Sequence, residues 1–333
     1  MPPFVARYVP LALSLALLPS LQAQMLGTNM PPENPAASYV SQAELKLPAV
    51  SQINGKLDYA GGKMNSAEGH NFNGSVSVPV GKAFGFQADA LYSSIDHEDF
   101  YGGGGHFFWR RPDLGLVGIA GGYLQRDGVD TFQVGVEAEY YLGRFTFGGF
   151  AGVGGISYAN AAPFIDTNPT RFVGRVSLNY YPVDNVRVGV SGETAYEDEL
   201  VKGEVEWQIP VRGVALTAEV AAGDHGYDHW LLGVRYYFGG NKTLRDRQRQ
   251  DDPPGLMPQI LQGLGLYGAE FNRKGEAYLA ANPGAGSLDG GGSYGFVLTG
   301  LSPPSAPEPP LVYPLPYPGN SGSSGVIIAM PHP

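Results

Sequence analysis

Hydrophobic and polar residues alternate in several runs between Ser51 and Gly239. The clearest run places Val201, Gly203, Val205, Trp207 and Ile209 at every second position, with Lys202, Glu204, Glu206 and Gln208 between them. Since successive side chains of a β-strand point to opposite faces, this period of two predicts a strand with one apolar and one polar face. The runs 71–78, 132–140 and 171–180 follow the same pattern.

About twelve such runs fill residues 51–239, each close to the 9 to 11 residues that a tilted membrane-spanning strand needs. Tight turns are predicted at 80–82, 111–113, 142–144, 183–185 and 211–213, and longer polar links at 61–69, 93–99, 125–130, 154–169, 196–200 and 223–228. Short turns alternating with longer links over an even strand count are typical of outer-membrane barrels, whose short turns face the periplasm. The pattern predicts an all-β fold, a closed antiparallel transmembrane β-barrel of about 12 strands. Two Gly-rich runs, 115–123 and 145–153, leave that count open by about two.

Aromatic residues cluster at several predicted strand ends. The clusters are Tyr140-Tyr141, Tyr180-Tyr181 and Tyr236-Tyr237-Phe238. Tyr and Phe favour strands in general, but three clusters at equivalent positions favour an aromatic girdle at the membrane interface.

The last run, WLLGVRYYF at 230–238, resembles the closing strand of outer-membrane barrels, which commonly ends in an aromatic residue recognised by the barrel-assembly machinery. With GGHFFW at 104–109 and GGNK at 239–242, the chain is similar to a group of poorly characterised, porin-like proteobacterial outer-membrane barrels. The resemblance covers residues 51 to about 253. It implies this fold, an outer-membrane location in a Gram-negative bacterium and the assembly machinery as a partner, and it implies no substrate.

The segments outside the barrel have different compositions. Residues 1–23 carry Arg7, an apolar run at 9–18 and a Leu-Gln-Ala end, which predict a signal peptide; the run is shorter than the roughly 20 residues of a spanning helix. Residues 24–50 predict a disordered periplasmic linker. Residues 240–333 predict a disordered, low-complexity Gly/Pro-rich periplasmic tail, with a short helix at 257–261 and an extended, polyproline-like stretch at 303–318. Both termini are then expected in the periplasm.

Composition narrows the functional classes. The 333 residues include 49 Gly and 28 Pro and are 16% charged, which disfavours ordinary helical packing. A net charge of -10 with only 21 Lys and Arg argues against a nucleic-acid partner. Without cysteine, a disulfide framework and thiolate metal sites are excluded. We expect no cofactor.

Charged residues on the polar strand faces are expected to line the lumen, because Lys or Arg at the lipid midplane costs roughly 2–4 kcal/mol. They are Lys56, Asp58, Asp89, Arg110, Glu137, Glu139, Arg171, Arg175, Arg187, Glu193, Lys202, Glu204, Glu206, Glu219 and Arg235. Eight acids nearly balance seven bases. The lumen is then either a narrow aqueous pore for small polar solutes or a space closed by cross-strand ion pairs.

The sequence gives only weak support for metal-binding, catalytic or nucleotide-binding motifs. The stretches 96–99 and 224–229 hold Asp, Glu and His side chains without a recognised metal-ligand spacing. His106 and His229 lack a nearby serine in a nucleophile motif, and GGSYG at 291–295 lacks the strand and helix of a nucleophile elbow. Gly102–Gly105 lacks the context of a nucleotide loop and instead relieves crowding in the wall. We expect no metal site, no catalytic residues and no enzyme.

Three functional classes remain. The first is a narrow porin-like channel for small polar solutes or a structural envelope protein. The second is an interaction protein that binds a surface ligand or periplasmic partners, and the third is an outer-membrane lipid-modifying hydrolase. Outer-membrane lipids and lipopolysaccharide are the expected surroundings in each case, and the pattern does not indicate an oligomeric state. The balanced interior and the chain beyond Phe238 favour a narrow or plugged barrel over a general diffusion porin.

Overall fold

The structure, a computed structural model, describes residues 47–158, 162–166, 168–283, 287–288 and 298–299. The predicted signal peptide, nearly all of the predicted linker and the proline-rich stretch 303–318 lie outside the described residues.

Twelve antiparallel strands form a closed barrel. They are β1 (Asn54–Met64), β2 (Ala67–Val80), β3 (Phe84–Ile95), β4 (Glu98–Arg111), β5 (Gly115–Arg126), β6 (Val129–Leu142), β7 (Phe145–Tyr158), β8 (Thr170–Val183), β9 (Val186–Ala195), β10 (Asp198–Gln208), β11 (Val214–Gly223) and β12 (Asp228–Phe238). Each strand pairs with its neighbours in sequence, and β1 pairs with β12 from Gly55↔Phe238 to Met64↔His229. The predicted fold class is confirmed.

The two rims of the barrel differ in what they carry. The chain enters at Asn54 and leaves at Phe238, and we call this rim the entry end and the opposite rim the far end. Four far-end connections are two-residue turns, at 65–66, 96–97, 127–128 and 196–197. Asn65 and Ser66, for example, have φ of 50° and 69°, as a tight hairpin turn between twisted strands requires. The predicted strict alternation of short turns and longer links is therefore wrong. Polar residues assigned to links extend the strands, and the longest far-end link is 159–169.

The alternating pattern predicts the two faces of the wall correctly. In β10, Val201, Val205 and Trp207 point outward and are 62%, 44% and 48% exposed, whereas Lys202 and Glu206 point inward and are buried. Large apolar side chains cover the outside of the other strands in the same way. Such a continuous apolar exterior is the opposite of a water-soluble surface and fits contact with lipid.

Two helices follow the barrel, α1 (Leu244–Gln250) and α2 (Met257–Ala281). A single turn of 3-10 helix at Asp224–Gly226 links β11 to β12, and two short strands, β13 (Ser287–Leu288) and β14 (Leu298–Thr299), pair with each other. Neither helix combines the length and hydropathy of a membrane-spanning helix.

Residues 244–281 were predicted to be part of a disordered tail, but they form two helices. The short helix expected at 257–261 is the beginning of α2, which is 25 residues long. Apolar side chains recur at helical spacing along it, as Ile260, Leu264, Tyr267 and Phe271, and all four are buried. Glycines between them raise the Gly content to that of a low-complexity segment, which concealed the helical pattern.

Candidate functional site in the barrel lumen

The far half of the lumen is filled by α2. Residues of α2 from Met257 to Phe271 are mostly buried, and the helix contacts β3, β4, β5, β6, β9, β10 and the turn at 224–226. The wall contributes inward-facing apolar side chains to the same core, among them Met64, Leu91, Ile95, Phe100, Leu124, Ile156 and Leu231. This half of the barrel is therefore a packed hydrophobic core and not a water-lined passage.

Glycines in the wall make room for the start of α2. A Cβ atom on Gly122 would lie 2.9 Å from Ile260 Cδ1 and 3.0 Å from Met257 Sδ, and one on Gly104 would lie 3.2 Å from the same sulfur. These distances are shorter than ordinary packing contacts. The Gly-rich stretch of β4 thus relieves crowding between the wall and the helix.

A polar contact joins α2 to the charged wall. The Gln262 amide oxygen accepts a hydrogen bond from Lys202 Nζ at 3.3 Å, and its amide nitrogen donates to Glu219 Oε1 at 3.5 Å. Lys202 also lies 3.5 Å from Glu193 Oε1. One helical side chain therefore contacts both signs of wall charge where the apolar core meets the polar half of the lumen.

The C-terminal part of α2 lies at the far end. Tyr267 donates a hydrogen bond to the carbonyl oxygen of Asp166 at 2.5 Å, and the Phe271 ring packs against Tyr158 and Phe164 with centroid distances of 5.7 and 5.2 Å. Burial in this region raises the pKa of Tyr196, in the far-end turn 196–197, to about 12. Residues 240–333 were predicted to lie in the periplasm together with the N-terminal linker, whereas α2 ends at the rim opposite the one at which the chain enters the barrel.

The first helix, α1, lies across the entry end. Its Arg249 donates hydrogen bonds to the carbonyl oxygens of Gly143 at 2.9 Å and Phe145 at 2.7 Å. The same guanidinium lies 5.1 Å from the ring centroid of Tyr141 and 5.6 Å from that of Tyr181. Arg247 lies 4.6 Å from the ring centroid of Tyr237.

Each predicted aromatic cluster is split between the two faces of the wall. Tyr140, Tyr180 and Tyr236 point outward, where an interfacial girdle would lie, and Phe238 also points outward. Their neighbours Tyr141, Tyr181 and Tyr237 are buried inside, beneath α1. The period of two requires this split, so the prediction that whole clusters form the girdle is wrong for the inner three.

The segment between the helices turns the chain into the lumen. Lys242 Nζ contacts Asp251 Oδ2 at 2.5 Å and Ser51 Oγ at 2.7 Å. Lys56 Nζ, on β1, contacts Asp252 Oδ1 at 2.6 Å, and both side chains are buried. This buried ion pair places Asp252 at the entry to the lumen, ahead of Pro253 and Pro254.

A cavity of about 160 Å³ remains in the entry half, between α1 and the start of α2. Ten of the predicted lumen-lining residues line it: Lys56, Asp58, Asp89, Glu139, Arg175, Arg187, Lys202, Glu204, Glu219 and Arg235. Arg110, Glu137, Glu193 and Glu206 are buried in the wall. Arg171 lies at the far rim, 41% exposed, beside Glu197 at 3.0 Å. Gln248, Arg249 and Asp252 also line the cavity, and none of them was among the predicted lumen-lining residues.

Opposite charges from several strands are paired in the lumen. Glu206 accepts hydrogen bonds from Arg235 at 2.7 Å and Arg187 at 3.3 Å, and Arg187 also contacts Glu204 at 2.5 Å. Arg235 pairs in addition with Asp58. Gln248 of α1 donates to the same carboxylate of Glu206 at 2.9 Å. Directly paired charges of this kind stabilise the wall and leave little separated charge to produce a transverse field.

The two candidate histidines have acidic or phenolic neighbours. His106 lies between Asp89, 2.8 Å from Nε2, and Glu137, 3.0 Å from Nδ1. His229 Nδ1 lies 3.0 Å from the hydroxyl of Tyr227. Within the described ranges, no three His, Asp or Glu side chains are placed to hold a metal ion. The GGSYG string at 291–295 lies outside the described residues.

No protein-family model matches the sequence, and no curated protein matches it. Among solved structures, the chain is similar to the KdgM porin, with 9% identity and a TM-score of 0.41 over 54% of this chain and 98% of that one. The NanC porin has 9% identity and a TM-score of 0.43 over 54% and 98%. Omp33 of Acinetobacter baumannii has 13% identity and a TM-score of 0.35 over 55% and 95%. The fold described above rests on strand pairing and closure within this chain.

Proposed function

We propose that this protein is an outer-membrane barrel sealed by its own C-terminal helices, and that in this state it serves as a structural envelope protein and not as an open porin. The observation that carries the proposal is the apolar core that α2 forms with the wall in the far half of the lumen. The outward band of large apolar side chains supports the membrane location.

Emptying the lumen would be costly. The lumen of a water-filled barrel is polar, whereas Ile95, Phe100 and Leu124 point into this lumen and are fully buried against their neighbours. Each large apolar side chain that loses its burial costs roughly 1.5–3 kcal/mol. Displacing α2 would expose side chains on both the wall and the helix, so the free energy opposes spontaneous opening.

A second candidate is a gated channel for small polar solutes. The observation that favours it is the charged cavity in the entry half, which would become part of an aqueous passage if α2 moved. Such a movement would break the long hydrogen bonds of Gln262, at 3.3 and 3.5 Å, and the hydrogen bond from Tyr267 to Asp166.

A disulfide between α2 and the wall separates the two candidates. A Cβ atom at Gly263 would lie 3.2 Å from the Cβ of Ala195, slightly below the roughly 3.5–4.5 Å typical of disulfides. The chain has no cysteine of its own. The variant Ala195→Cys/Gly263→Cys can therefore fix α2 in place when oxidised, and the two single variants serve as controls.

Single-channel current in planar bilayers is the measurement. For the sealed barrel, we expect no discrete current steps from the wild type or from the double variant, whether oxidised or reduced. Current steps that occur in the wild type and in the reduced double variant, and that vanish when the variant is oxidised, would contradict the sealed barrel and support the gated channel. Steps that persist in the oxidised variant would contradict both candidates.

A further inference from the structure

We propose that the chain crosses the membrane a final time through the lumen, so that residues 282–333 are presented outside the cell while the N-terminal linker stays in the periplasm. This inference rests on the proposed membrane barrel and goes beyond it. It also changes the compartment expected for the proline-rich stretch 303–318, from the periplasm to the cell exterior.

Contacts in the order of the sequence trace the path. At the entry end, Arg249 binds the carbonyl groups of the 143–145 turn region, and Asp252 pairs with Lys56. Inside the lumen, Met257 lies against Gly104 and Gly122. Gln262 then reaches Lys202, which is four residues below the far-end start of β10.

The remaining contacts are at the far end. Leu266 lies beside Gly223, the last residue of β11, and Tyr267 binds Asp166 in the link 159–169. Phe271 packs on Phe164 of the same link. The chain thus runs from the entry end at Asp252, through the lumen, to the far end at residues 266–271.

The helix is long enough to emerge. Its 25 residues span about 37 Å at 1.5 Å per residue, more than the roughly 30 Å of hydrocarbon in a bilayer. Beyond Phe271 the helix is less buried, and Arg273, Glu276 and Ala280 are exposed. Lys274 forms a surface ion pair with Glu270 at 2.6 Å. The end of α2 therefore extends beyond the packed core and is exposed.

No route leads the chain back. A second pass through the lumen is blocked by α2 itself, since a helix with its side chains is already about 10–12 Å wide and its residues from Met257 to Phe271 are packed into one core with the wall. A pass through lipid would leave the backbone polar groups of a Gly- and Pro-rich segment without hydrogen-bond partners. Residues after α2 must stay on the side where α2 ends.

The far end is assigned to the cell exterior for two reasons. Export delivers the N-terminal linker to the periplasm, and this linker joins the barrel at the entry end. In outer-membrane barrels the longer loops are extracellular, and the longest link of this barrel that joins two strands, 159–169, lies at the far end.

Single-cysteine labelling tests the arrangement in the full chain, which has no cysteine to interfere. The reporters are Ser321→Cys in the C-terminal segment and Ser41→Cys in the N-terminal linker. Asn168→Cys marks the far end, and Lys82→Cys marks the entry end. The native side chains of Asn168 and Lys82 are both exposed. A membrane-impermeant maleimide of high mass is added to intact or permeabilised cells, and labelling is read as a mobility shift of the full-length band.

We expect Ser321→Cys and Asn168→Cys to shift on intact cells, and Ser41→Cys and Lys82→Cys to shift only after permeabilisation. If Asn168→Cys shifts on intact cells but Ser321→Cys shifts only together with Lys82→Cys, the final crossing is refuted while the membrane barrel stands. If Asn168→Cys does not shift on intact cells and the protein is absent from the outer-membrane fraction, the membrane barrel itself fails, and the inference fails with it.

Discussion

At the scale of single residues, small and polar side chains decide how α2 fits the wall. Gly104 and Gly122 face the helix and leave space for Met257 and Ile260. Gln262 provides the polar contact to Lys202 and Glu219. The glycines that weaken the strand pattern of β4 and β5 are thus positions where the helix packs against the wall.

Replacing Gly122 with Val tests this fit. A branched side chain there would overlap Ile260 and Met257, and overpacking of this kind costs roughly 1–3 kcal/mol. We expect the amides of residues 257–271 to lose hydrogen-exchange protection while the barrel strands keep theirs. Gly149→Val is the matched control, because its Cβ would meet only the Arg175 carbonyl oxygen, at 3.7 Å. Equal protection of α2 in both variants would show that the wall does not constrain it at Gly122.

At the scale of elements, α1 acts as a cover on the entry end. It is only seven residues long, too short to be stable by itself in water. Its position depends on contacts that its side chains make with the barrel, above all those of Arg247 and Arg249. The inward tyrosines Tyr141, Tyr181 and Tyr237 form the surface on which these two arginines lie.

The variant Arg249→Ala should therefore loosen α1. Hydrogen bonds to charged groups contribute roughly 1.5–3 kcal/mol each, and part of this is recovered from water at a half-exposed site. We expect faster hydrogen exchange at residues 244–250 and unchanged exchange in β6 and β7. Arg212→Ala, an exposed arginine in another entry-end turn, is the control. Unchanged hydrogen exchange in α1 would show that contacts other than those of Arg249 hold the helix in place.

At the scale of the whole molecule, the strands close into a barrel without the C-terminal helices, but the apolar residues inside the barrel pack against α2. Hydrogen bonding from β1 to β12 closes the wall without any residue after Phe238. The inward apolar residues of the far half, however, are buried in a core that they share with α2. The wall is complete without the helices, but its interior is not.

A chain that ends at Gly240 should still close into a barrel, and it should be less stable than the full chain. Removing α1 and α2 exposes inward side chains such as Ile95, Phe100 and Leu124 to water, at roughly 25 cal/mol per Å² of apolar surface. We expect the heat-dependent mobility shift of the folded barrel on SDS gels to occur at a lower temperature. The same transition temperature in both chains would mean that α2 adds no stability to the wall.

The sequence was sufficient to predict the wall. The period of two maps directly onto the two faces of a strand, so a closed barrel of about twelve strands, with the count open by about two, and the inward placement of residues such as Lys202 and Glu206 could be derived from it. Turn lengths were harder to predict from the sequence, because Asn65, Ser66, Asp96 and His97 fit a tight hairpin turn as well as a longer polar link.

The contents of the lumen were decided only by the tertiary structure. A pattern of apolar residues shows that a segment has surface to bury but does not show what covers it, and α2, buried on nearly all sides up to Phe271, has no polar face there to mark its orientation. Its partners are far away in sequence, as Tyr267 and Asp166 are. The sequence by itself therefore determined a barrel with an apolar exterior and a charged interior. Only the folded chain determined that the barrel encloses its own C-terminal helix, and on which side that helix ends.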